Sequence, residues 1–424
     1  MISLSLVAIP VLTRNILVRF GGYPQLSWLT FFGLFGFSYQ WGFVSFMLAS
    51  VYLLAILPIL IDYAKIPTVH RAIVIGVLVL ISFFLHALVF AFVGMIAGLL
   101  ILFNGKRMAV RLLAITPLLV GLPLALLWLH ASSGHSSVSL PPDFDLNWFE
   151  TNEAYYNNAE WIRIDGLGLG RLTGFFLRVF GLRDSLFSLI LGELLVGWPF
   201  VLGANFSRDK LFLVPLFSVL IVLFFLLRFI FGTAYIFQRY VIFFVPFYVL
   251  AFARPTGDQG SSVALMMMPI AAVVFVVFAL CAHLVERQDG VDFESVAEHV
   301  APDSRVLSVV LSREGGYSIA PTYIHYPVWL MSRTKSDVSP NFSATHIQLV
   351  TYKAGTEPDE SVNKRFEWRP KSILNGGVDG GRYDYLMVRS NHDARGLVDK
   401  SFAGKFSLQA ESGSWSLFKS ARGR

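Results

Sequence analysis

The sequence has a single cysteine, Cys281, inside a hydrophobic block, so no disulfide framework holds this fold. Charge is also scarce: 15% of the 424 residues are Asp, Glu, Lys or Arg, against 55% apolar. That balance excludes an ordinary water-soluble domain for the chain as a whole. Residues 1 to 61 contain no acid at all, the first being Asp62. Neither part of the chain is basic enough for nucleic acid, since residues 1 to 286 carry 16 Lys and Arg against 12 Asp and Glu, and residues 287 to 424 carry 18 against 16. Internal repeats and low-complexity tracts are lacking too.

Long apolar blocks dominate the rest, for example residues 211 to 231 and 262 to 282. A spanning helix needs ~20 such residues, because each adds ~1.5 Å across a ~30 Å hydrocarbon core. The runs predict helices near 24 to 38, 41 to 61, 72 to 103, 109 to 130, 186 to 204, 211 to 231, 236 to 252 and 262 to 284. The first twelve residues read as a short or partial membrane segment. As one helix, residues 72 to 103 would reach ~48 Å, too long for one crossing, so a tight reversal is predicted near His86.

With that reversal, the short connections on one side hold Arg14, Arg19, Lys65, Arg71, Lys106, Arg107, Arg111, Arg208, Lys210 and Arg254. The connections near Tyr39 and His86 on the other side hold no Lys or Arg. This asymmetry predicts that the basic side is cytoplasmic. The expected fold is an α-helical polytopic membrane bundle of about 8–10 helices over residues 1–286, with an outward loop at 131–184. A small α/β domain over residues 287–424 follows and is expected to be extracytoplasmic. The lone cysteine favours a bacterial inner (cytoplasmic) membrane protein. Within the C-terminal domain, Asp292 is expected to N-cap a helix through Val300. Strands are expected at 305 to 311, 346 to 353 and 382 to 389, and around Gly413 over 406 to 420.

The outward loop carries the richest chemistry. Asp143, Asp145, Glu150, Glu153, Glu160 and Asp165 are interleaved with Trp148, Phe149, Tyr155, Tyr156 and Trp161. Carboxylates accept from sugar hydroxyls or ligate a cation, and aromatic faces pack on sugar C–H faces. The Asp143-Phe144-Asp145 spacing lets two carboxylates reach one Mg or Mn ion; the bland alternative is a turn after Pro141-Pro142. In the run 171 to 183, Arg171 and Arg178 share a helical face opposite Phe175, Phe176, Val179 and Phe180, the pattern of an interfacial helix holding phosphate or a headgroup. Glu193, Arg228, Arg239 and His86 are ionisable groups near membrane depth, expected either in a buried Glu193 to Arg228 ion pair or in an outward polar cavity.

Tyr39-Gln40-Trp41-Gly42-Phe43 opening a helix, His86 closing an apolar run and Arg239-Tyr240 leading into a helix with Pro246 together resemble the multi-spanning GT-C class of glycosyltransferases. The C-terminal region, with Tyr383-Asp384-Tyr385 and Gly413-Ser414-Trp415, is similar to the periplasmic tails of that class. The resemblance implies a polyprenyl-phosphate sugar donor used on the outer face, in cell-envelope glycan or glycoconjugate assembly. It also implies a catalytic acid in the first outward loop, where this chain has none. Three readings follow: an N-terminal part of the fold precedes this chain, the acid is lost, or Asp143 and Asp145 substitute as base or metal ligands. A rival expectation is a non-catalytic assembly subunit with a membrane-protein partner. A transporter is a third, suggested by Pro117 and Pro123 but without repeated halves.

Overall fold

A computed structural model describes residues 2–104, 106–127, 174–225, 236–253, 262–340, 370–374 and 378–421. These divide into two compact units, one running through Ala279 and the other from Leu280 onward.

The first unit is helical. Helix α1 (Ile2–Arg19) is a full 18-residue helix, longer than the partial segment expected. Residues 24 to 38 were expected as one α-helix but form a 3-10 helix, Pro24–Gly33, and a short α2, Phe37–Gln40. The cause is local: Ser27 Oγ donates to the Pro24 carbonyl and Thr30 Oγ1 to the Ser27 carbonyl, both at 2.7 Å and three residues back. Helices α3 (Val44–Lys65), α4 (Val69–Leu85) and α5 (Ala87–Phe103) follow.

The run 72 to 103 does reverse at His86. Two contacts fix the sense of the hairpin: the His86 ring meets Phe46 at the start of α3, and Asn104 Nδ2 donates to the Ala64 carbonyl, 2.9 Å away, at the end of α3. Both strokes therefore run the length of α3 in opposite directions. His86 N-caps the second stroke, its Nδ1 accepting from the Leu88 amide at 3.2 Å. The imidazole thus serves as a cap.

Helix α6 (Met108–Ile115) continues through a 3-10 turn at Thr116–Gly121, where Pro117 removes an amide donor. After it come α7 (Phe175–Phe180), α8 (Ser185–Val201), α9 (Leu213–Phe225), α10 (Ile236–Arg239) and α11 (Phe244–Leu250). Asp184 caps α8 by accepting from the Phe187 amide at 2.7 Å. Among the described residues, three helices are long and apolar enough to cross a membrane: Val44–Lys65, Met108–Leu127 and Ser262–Ala297.

Basic turns gather at one end of this unit. Strand β1 (Asn205–Phe206) pairs antiparallel with β2 (Phe252–Ala253), and Gly22 bridges to Ala253. Arg19 pairs with Asp62, Lys65 pairs with Asp209 at 2.9 Å, and Arg71 donates to the Asp62 and Ile66 carbonyls.

Helix α12 (Ser262–Ala297) is continuous over 36 residues. The sequence suggested a break near Val285 and a new helix capped by Asp292. Residues 285 to 297 contain no proline, so the apolar helix propagates, and Asp292 instead accepts from Ser412 Oγ at 2.9 Å.

The second unit holds a five-stranded sheet in the order β4 (Asp337–Ser339), β3 (Arg305–Val310), β5 (Tyr385–Arg389), β7 (Trp415–Ser420), β6 (Phe406–Ser412). Strand β3 is parallel to β4 and β5, and β7 is antiparallel to β5 and β6. Period-two alternation sends Leu307, Val309, Leu386 and Val388 to a core with Val398 and Phe402 of α13 (Ala394–Phe402). The opposite face places Val306, Val310, Tyr385 and Met387 with Phe293 and Val296 of α12. The expected strands at 305 to 311, 382 to 389 and 406 to 420 are present, with Gly413 turning the hairpin at φ 53°. The expected strand at 346 to 353 lies outside the described residues.

Candidate functional site

Two glycines build the best-defined polar cluster of the first unit. Gly36 lies against the carbonyls of Arg178 and Val179, where a Cβ would overlap them. Gly181 adopts φ +73°, ends α7, and lies against the Phe35 carbonyl and the Gln40 amide, which donates to the Gly181 carbonyl. Each segment's backbone thus enters space that the other segment's missing side chain leaves open. Arg178 is thereby locked beside the Tyr39–Phe43 segment.

Arg239 reaches the same segment from α10. Ser38 Oγ donates to the Arg239 carbonyl at 2.9 Å, and the guanidinium carbon stands 3.9 Å from the Phe43 ring centroid. Phe43 stacks on Trp41 with centroids 5.9 Å apart, and Trp41 contacts Phe37 at 5.4 Å. Tyr240 donates to the Leu88 carbonyl at 2.7 Å and meets the edge of Phe46, which also meets His86. His86, Arg239 and the aromatic run 39 to 43, which are distant in sequence, therefore belong to one cluster. Arg178 adjoins it through Phe237, 5.5 Å from its guanidinium carbon.

Arg178 departs from its expected setting. It is 3% exposed, in a helix of six residues, so its charge is buried rather than displayed on a surface helix. Glu193 departs the other way: it is exposed on α8 beside Ile190 and Leu194, apart from the cluster, so it is not the buried acid that was expected. Asp143, Asp145, Trp148, Glu150, Tyr155, Trp161, Arg171 and Arg228 lie outside the described residues. Among the described residues no group of three or more His, Cys, Asp or Glu side chains is placed to hold a metal ion.

The sequence reading passed over Gly36, Ser38, Gly181 and Gln238. Gln238 is fully buried, and among the described residues both ends of its side-chain amide have no hydrogen-bond partner. A buried unpaired amide costs roughly 1–3 kcal/mol, a cost that a bound polar ligand or water removes. Its position directly before Arg239 was the only signal available.

The second unit has its own polar constellation, at the carboxyl ends of β3 and β5. The chain leaves β3 to form β4 on one side and returns to form β5 on the other, which is where ligands bind in open α/β sheets. Here the loop donors are already engaged. Glu286 of α12 accepts from the Tyr317 and Ser318 amides at 3.2 and 2.8 Å, fitting over Gly315. Arg389 is 3% exposed, donates to Asp289 at 3.1 Å and to the Ser312 carbonyl, and lies 3.8 Å from the Tyr323 ring centroid. Burial pulls the Arg389 pKa down, and the Asp289 carboxylate beside it opposes that shift.

No protein-family model, curated protein or solved structure matches this chain. Its function is read from its own residues.

Proposed function

We propose that this chain is a GT-C-like membrane protein that handles a lipid-linked sugar phosphate in cell-envelope glycan or glycoconjugate assembly. The observation that carries the reading is the convergence of Arg239, His86 and the Tyr39–Phe43 aromatics, with Arg178 alongside. Cationic guanidinium groups suit a phosphate, and stacked aromatic faces suit a sugar or an isoprenoid. Gln238 adds an amide able to meet a hydroxyl.

A bilayer around the first unit is supported by its outer surface. Val69, Ile73, Val77, Ile81 and Phe84 form an exposed apolar stripe at helical spacing along α4. Water would leave that stripe unfavourably exposed, whereas lipid matches it. The segregated basic turns support a cytoplasmic face at their end, with the C-terminal unit extracytoplasmic. Transfer chemistry in this reading rests on Asp143 or Asp145 as base or as ligand to Mg or Mn.

The test is binding and transfer of a polyprenyl-phosphate sugar by the purified full chain in lipid nanodiscs. Binding that Arg239→Ala abolishes supports the site, and transfer lost in Asp143→Ala with Asp145→Ala supports catalysis. Absence of binding in the unaltered protein overturns the reading. Activity of a cytosol-restricted reporter fused after Arg424 would invert the topology.

A second reading is a non-catalytic subunit whose outer domain recruits a membrane-protein partner. It is favoured by Glu286, which takes up loop donors at the sheet position where a ligand would sit. It is distinguished by tolerance of every acidic substitution between residues 143 and 165 and by co-purification with an enzyme.

A further inference from the structure

The basic end of the first unit contains two kinds of cation. Arg19 and Lys65 take up the carboxylates of Asp62 and Asp209, and Arg71 is spent on carbonyls. Lys106, Arg107 and Arg111 differ: among the described residues none of their side chains has a hydrogen-bond or ion-pair partner. Arg111 is only partly exposed, and its Nε is enclosed with no acceptor among the described residues.

Backbone geometry keeps the three together. The Arg111 amide donates to the Arg107 carbonyl, which puts the two residues one turn apart on a common face. The Lys106 amide is held by Asn104 Oδ1 at 2.9 Å, and Asn104 is in turn tied to α3 through the Ala64 carbonyl. Around them Leu102, Phe103, Met108, Val110, Leu112 and Leu113 are all exposed. A half-enclosed guanidinium framed by exposed apolar side chains calls for an anion that arrives with its own hydrocarbon.

We propose that Lys106, Arg107 and Arg111 form a binding site for the headgroup phosphate of an anionic phospholipid, with the acyl chains lying against the exposed apolar residues around it. The site lies outside the cluster assigned to lipid-linked sugar and rests only on the membrane reading of the first unit. An anionic lipid is favoured over a zwitterionic one because three cations offer net positive charge with no internal acid to offset it.

The experiment is native mass spectrometry of the detergent-solubilised full chain titrated with phosphatidylglycerol or phosphatidylcholine. Phosphatidylglycerol is expected to bind more tightly, and Arg111→Gln is expected to weaken it about fivefold. Arg111→Lys should retain most of the preference. If Arg111→Gln does not elute as a monodisperse protein, the paired change Lys106→Gln with Arg107→Gln carries the same expectation. Equal affinity for the two lipids, an equal loss in Arg14→Gln, or displacement of phosphatidylglycerol by inorganic phosphate alone would each overturn the proposal. Failure to enter detergent micelles at all would instead fault the membrane reading.

Discussion

The Arg239 guanidinium stacks on the face of Phe43, and the carbonyl of the same arginine accepts from Ser38. One residue therefore joins two segments through both its backbone and its side chain, which fixes where its charge sits. Removing the charge and loosening the stack should have separable effects. Arg239→Ala is expected to weaken binding of a polyprenyl-phosphate sugar at least about tenfold, from the ~1.5–3 kcal/mol of a charge-assisted hydrogen bond. Phe43→Leu, which keeps the charge, should cost less, about 0.5–2 kcal/mol. Isothermal titration in nanodiscs distinguishes the two.

The packing of Gly36 against α7 predicts a structural effect from a change that removes no charge. Gly36→Ala forces a Cβ into the Arg178 and Val179 carbonyls, so either α7 or the 34 to 43 segment must move. The expected cost is about 1–3 kcal/mol of stability with loss of lipid-phosphate binding. Gly42→Ala, at an open position of positive φ, should strain the turn but leave α7 in place. Thermal melting in detergent, compared with binding, measures both.

His86 caps the second stroke of the hairpin, so the cap should be replaceable. His86→Ala is expected to cost about 1 kcal/mol, while His86→Asn, able to accept from the Leu88 amide, should lose only part of that. Unfolding in mixed micelles reads the difference.

In the second unit, burial lowers the His325 pKa to about 4. The neutral ring is favoured in the folded state, so its stabilisation is complete above the unfolded value of ~6.5 and is lost as pH falls from there toward about 4. Discounted for partial exposure, the loss by pH 5 is on the order of 1 kcal/mol. His325→Gln should flatten that acid limb. Hydrogen exchange of the β3 and β5 amides in the full chain at pH 7 and pH 5, corrected for intrinsic rates, checks it. Equal acid sensitivity in both proteins would exclude His325 as the cause.

Local pattern sufficed for much of the architecture. Apolar runs marked the helices, basic turns marked one end of the first unit, and alternation marked β3, β5 and the β6–β7 hairpin. The excessive length of residues 72 to 103 forced a reversal, and His86, a polar residue able to cap, was the place for it. Each of these follows from neighbours within a few turns or one strand, which is why composition and period determine them.

Tertiary structure alone decided which charges are enclosed. Arg178 reads as a cation displayed on an interfacial helix and Glu193 as an ionisable group near membrane depth, yet the first is buried and the second exposed. The enclosure of Arg178 goes with Gly36 and Gly181, whose absent side chains admit backbone from far along the chain. Close approach of that kind leaves no periodic trace in a sequence, because it depends on which distant segment fills the space.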